Sequence, residues 1–123
     1  MPKKLTIEDL LEKKEILKKK SITSHFSEML GGEIEIEEHP LKKVSDIISK
    51  SDEGGIRSDL ELIYAFCPIF RGKKLQEAHE VEDPIDVVEK VFNYNLPEIQ
   101  NLAKTILKKY GFSEDKFEVL KKQ

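Results

Sequence analysis

The chain has 123 residues, 38% hydrophobic and 37% charged, enough for one compact core beneath an unusually charged surface. A net charge of -3 and a pI near 5.7 argue against non-specific nucleic-acid binding, which needs a clear excess of Lys and Arg. The longest uncharged apolar run, Leu62 to Phe70, falls far short of the ~20 residues of a membrane helix, and Glu8 and Asp9 occupy the place where a signal peptide carries its apolar region.

The spacing predicts a first helix from about Ile7 to Lys19, opened by Thr6 as N-cap, with Glu8 and Asp9 in its first turn and lysines gathering toward Lys20. Its apolar residues, Ile7, Leu10, Leu11, Ile16 and Leu17, form a thin stripe broken by Lys14. Such a helix buries one narrow seam at most, and residues 1–20 are expected to stand out from the body.

Residues 22–38 read as a β-hairpin about Gly31-Gly32. The glycines supply the positive φ of a tight primed turn, and alternation puts Ile34 and Ile36 on one face with Glu33, Glu35 and Glu37 in water. Residues 41–121 form the helical body. Leu41, Val44, Ile47 and Ile48 define a short amphipathic helix ending near Lys50, and Ser51 to Gly55 a loop. Ser58 and Glu61 have capping-box spacing before Leu60, Leu62, Ile63, Tyr64, Ala65, Phe66 and Cys67, which describe a buried central helix stopped by Pro68. Arg71 to Glu82 is expected to be a loop with a turn or two of helix. Asp83-Pro84 opens the next helix, and Pro97 opens the cleanest amphipathic one, Ile99 to Tyr110, closed by Gly111 as a left-handed cap with Phe112 folding back on Leu107. Ser113-Glu114-Asp115 is expected to start a last short helix carrying Phe117, Val119 and Leu120. The fold class is therefore α+β, a mainly α-helical single domain with one N-terminal β-hairpin.

Chemistry is harder to find. His25, His39 and His79 lie far from one another and from Cys67, without the close ligand pairs of a zinc site; His25 and His39 are placed at the hairpin ends and His79 in the acidic loop. Cys67 sits in the apolar run, where burial raises a thiol's pKa and blunts it as a nucleophile. Ser51 and Ser58 are explained by capping, and neither Gly-Gly pair has phosphate-loop spacing. Glu33, Glu35 and Glu37 lack the loop geometry of a calcium site. No catalytic, metal-binding or cofactor-binding residue is expected. Lysines crowd both ends and acids the middle, which reads as solvated faces or as a bipolar surface that steers a partner.

Two segments resemble the XkdN-like tail assembly chaperones of tailed phages and Gram-positive prophages. One is Leu5-Thr6-Ile7-Glu8-Asp9-Leu10-Leu11 with the Lys/Glu helix that follows. The other is Asp83-Pro84-Ile85-Asp86-Val87-Val88-Glu89-Lys90-Val91-Phe92, continuing through Pro97-Glu98-Ile99 to Tyr110-Gly111-Phe112. The resemblance implies a non-enzymatic chaperone in the bacterial host cytosol that binds the tape measure protein and keeps it soluble until the tail tube assembles. It implies no cofactor, no nucleic acid and no membrane, and leaves self-association open. The apolar residues expected to hold a client are Leu10 and Leu17 at one end and Phe117 and Leu120 at the other. The competing expectations are a structural tail component kept in the virion and a small intracellular ligand-binding domain.

Overall fold

A computed structural model describes residues 4–50 and 56–112. Thr6 caps α1 (Ile7–Lys20) through a full capping box: its hydroxyl accepts the Asp9 amide at 3.2 Å, and the Asp9 carboxylate accepts the Thr6 amide at 3.0 Å. Lys18, Lys19 and Lys20 fill the last turn, opposite in charge to the dipole's negative end.

β1 (Ser24–Ser27) and β2 (Gly32–Glu35) pair antiparallel, with His25 opposite Ile34 and Phe26 opposite Glu33. Ile34 and Ile36 point into the core as the alternation predicts. The connection differs from the expected Gly-Gly primed turn. It is one helical turn, in which the Gly31 amide donates to the Ser27 carbonyl at 2.8 Å and the Ser27 hydroxyl accepts the Leu30 amide at 3.2 Å. Only its last residue, Gly31 at φ 75, uses a glycine's freedom; Gly32 is already in β2 opposite Ser27.

The body is built on α3 (Ile56–Phe66), which packs against α6 (Leu96–Lys109), α2 (Leu41–Lys50) and α5 (Val87–Val91). Their facing residues, Val44 and Ile48, Leu62, Ile63 and Phe66, Val87 and Val88, and Ile99, Leu102, Ala103 and Ile106, make one continuous core. Pro68 ends α3 and begins a 3-10 turn (Pro68–Arg71), after which α4 (Lys73–Ala78) is the short helix expected in the polar stretch. Asp83 caps a 3-10 turn (Pro84–Asp86) that leads into α5, its carboxylate accepting the Ile85 amide at 3.2 Å. Asn95 caps α6. At the other end Gly111, at φ 78, closes a Schellman motif in which the Phe112 amide donates to the Leu107 carbonyl at 2.9 Å and the Gly111 amide to Lys108 at 3.0 Å. The chain is thus α+β and mainly helical, with six α-helices and one two-stranded hairpin among the described residues.

Ser58 is a correction. It does not cap α3, which starts at Ile56; it lies inside the helix, fully buried, on the same face as Leu62 and Phe66, and its hydroxyl has no hydrogen-bond partner among the described residues. The loop expected over Ser51 to Gly55 and the last helix, with Phe117, Val119 and Leu120, lie outside the described residues.

Candidate partner-docking site

α1 buries none of its residues. Ile7 is 72% exposed, Leu10 58% and Leu17 63%, and Leu11 is similarly open, so a row of large apolar side chains faces solvent along one helix. At 3.6 residues per turn Ile7, Leu10, Leu11, Lys14, Leu17 and Lys18 share a face, while Ile16 falls on the opposite side and does not belong to the stripe. Of the four sequence-predicted contact residues, Leu10 and Leu17 are thus both exposed and on one face; Phe117 and Leu120 are outside the described residues.

The base of α1 is held to the body by polar contacts. The Lys109 ammonium, in the last turn of α6, donates to the Ser21 hydroxyl at 2.8 Å and the Ile22 carbonyl at 2.7 Å. The Ile36 amide then donates to the Thr23 carbonyl at 2.9 Å, extending the hairpin ladder. Between the tethered end of α1 and the body runs an open groove of about 500 Å³, bounded by Lys14, Leu17 and Lys18 on the helix and Ile36, Glu38 and Lys109 on the body. Sequence spacing shows the stripe, but the groove needs residues from α1, the hairpin and α6 brought together, and no local pattern announces that.

The remaining polar clusters serve the fold. Arg71 donates to the Tyr64 and Ala65 carbonyls at 3.1 and 2.7 Å, capping the end of α3, and to Glu37 Oε1 at 2.6 Å. Glu37 is therefore half-buried and paired, not solvated like Glu33 and Glu35; the Arg71 hydrogen bond holds its carboxyl below the ordinary range. His39 reaches the same Oε1 at 3.2 Å and stands edge-on to Phe66, with ring centroids 4.9 Å apart. The Tyr110 hydroxyl accepts the His39 amide and donates to the His39 carbonyl, both at 2.8 Å, and burial pushes its phenol up. His25 lies within β1, not at its end, with Nδ1 2.7 Å from Thr105 Oγ1. That hydroxyl also lies 3.0 Å from the Asn101 carbonyl, to which it can donate. Burial lowers the pKa of this imidazole, with Glu98 acting in the opposite direction. His79 ends α4, its carbonyl accepting from Lys90 at 3.0 Å.

Burial raises the Cys67 thiol to about 12, as its apolar setting predicts, which leaves no thiolate for chemistry near neutral pH. Among the described residues no three His, Cys, Asp or Glu side chains gather closely enough to hold a metal ion, and no helix is long and apolar enough to cross a membrane. No family model, characterised protein or solved structure matches this chain.

Proposed function

We propose that the chain is an interaction protein without turnover, which covers an apolar stripe on a helical client and releases it unchanged. Its resemblance to the XkdN-like chaperones makes that client the tape measure protein of a phage tail, held soluble in the bacterial cytosol until the tail tube assembles. The observation that carries this reading is α1 itself: a capped helix that presents Leu10, Leu11 and Leu17 to solvent instead of to the core. An exposed apolar row on an ordered helix is suited to helix-on-helix recognition, and the surrounding charge keeps the free protein in solution. Long helical clients carry such stripes and aggregate when the stripes stay uncovered.

Co-expression with the tape measure protein from the same gene cluster tests the proposal. A soluble complex is expected, lost in the Leu10→Glu/Leu17→Glu variant; separate elution of the two wild-type chains refutes the client assignment. Mass spectrometry of purified particles should find the chain absent or sharply depleted. Stoichiometric retention would make it a structural tail component instead.

A further inference from the structure

We infer that the groove beside α1 selects an acidic amphipathic helix: a partner segment whose apolar stripe is flanked by carboxylates one turn apart. This rests on the protein-binding reading above and specifies the chemistry of what is bound. The groove is lined by two apolar side chains, Leu17 on the helix and Ile36 at the end of the hairpin, and by three lysines, Lys14, Lys18 and Lys109, against the single carboxylate of Glu38. Lys109 spends two of its three donors on Ser21 and Ile22, neither of them an anion. Lys14 and Lys18 hold no ion pair among the described residues.

Closing any helix over this groove takes water away from Lys14 and Lys18, and an ammonium that loses water without gaining an anion is strongly unfavourable. A neutral or basic helix is thereby disfavoured. A helix with carboxylates at i and i+4 returns what desolvation removes, because those groups repeat along its face at the same pitch as Lys14 and Lys18 along α1. On α1 the groove runs from Lys14 to Ser21, about two turns of the helix, and the exposed stripe continues beyond it through Leu10 and Leu11. An extended strand would meet the i, i+3, i+4 stripe out of step.

Two synthetic helical peptides with the same leucine stripe, one flanked by Glu and one by Lys at i and i+4, test this by fluorescence anisotropy against the full chain. The acidic peptide should bind about tenfold more tightly near physiological salt, the yield of two partly desolvated ion pairs, and less selectively as salt rises. The Lys14→Glu/Lys18→Glu variant, checked for helicity by circular dichroism, should reverse the preference. Equal affinity for the two peptides, or an acidic preference that survives in the variant, overturns the inference. So does a concentration-dependent dimer that the acidic peptide cannot dissolve, since a second copy then owns the groove. If the tape measure protein co-purifies but neither peptide binds, only this inference falls; if the acidic peptide binds and the tape measure protein does not, only the client assignment falls.

Discussion

Replacing Leu10 and Leu17 together by Ala separates a helix that serves partners from a helix that serves the core. Fully burying a leucine side chain contributes roughly 1.5–3 kcal/mol. Both residues are more than half exposed, and roughly two-fifths of each is covered, part of it by α1 itself. Alanine removes no helix propensity. The double variant should therefore lose about 0.5–1.5 kcal/mol in urea unfolding, with an unchanged m value. Leu62→Ala, a single truncation at a fully buried position of α3, should lose about 2–5 kcal/mol in the same assay. Client capture should show the reverse order, abolished by the α1 pair and retained by Leu62→Ala wherever that variant stays folded. A loss above about 3 kcal/mol from the α1 pair would mean that the helix docks on the body, and the functional reading of its stripe would fail with it.

Three further outcomes test the body. Tyr110→Phe keeps the edge-on ring contact with Phe66 but strands the amide and carbonyl of His39, so it should cost about 1–2 kcal/mol in urea unfolding; a loss below about 0.3 kcal/mol would deny the bridge any energetic role. Ser58→Ala removes a buried hydroxyl with no partner among the described residues and should leave stability unchanged or raise it by up to about 1 kcal/mol, whereas a clear loss would reveal a partner for that hydroxyl. Glu37 has a folded pKa depressed by Arg71, so its contribution is present above the ordinary value of 4.5 and is lost as pH falls through and below it; Glu37→Gln should therefore flatten the acid side of the urea-midpoint profile, and an unchanged slope would refute the pairing.

The elements most legible in the sequence are those whose ends and faces agree. α6 has its buried residues at helical spacing and a glycine where the left-handed cap falls, and the Schellman bonds follow. The misreadings come where a local pattern competes with a distant contact. Ser58 and Glu61 have capping spacing, yet the buried face of α3 runs through Ser58, Leu62 and Phe66, and burial of that face decides where the serine goes. Glu37 continues the outward alternation of Glu33 and Glu35, but β2 has ended before it, and Arg71, far away in sequence, turns it into the partner of an α3 cap. At Gly31-Gly32 both residues tolerate positive φ, and the hydrogen bonds of Ser27 select only the first.

The stripe on α1 is legible for the same reason as α6, but its meaning is not, because a pattern of leucines looks alike whether it is covered or open. What distinguishes them is how the helix is stabilised. A helix of 14 residues is marginal alone, and most helices of that length are held by packing an apolar face. α1 has instead a reciprocal capping box, acids in the first turn, lysines in the last and a Lys109 tether at its base, all of which order the backbone without covering a leucine. Stabilisation drawn from ends and charges leaves the apolar face available and already helical, so a partner need not supply the free energy of folding it. A helix ordered by its caps while its stripe stays open is the arrangement expected of a reversible binding element, in which the leucines supply the contact and the charge on α1 selects among the helices that offer one.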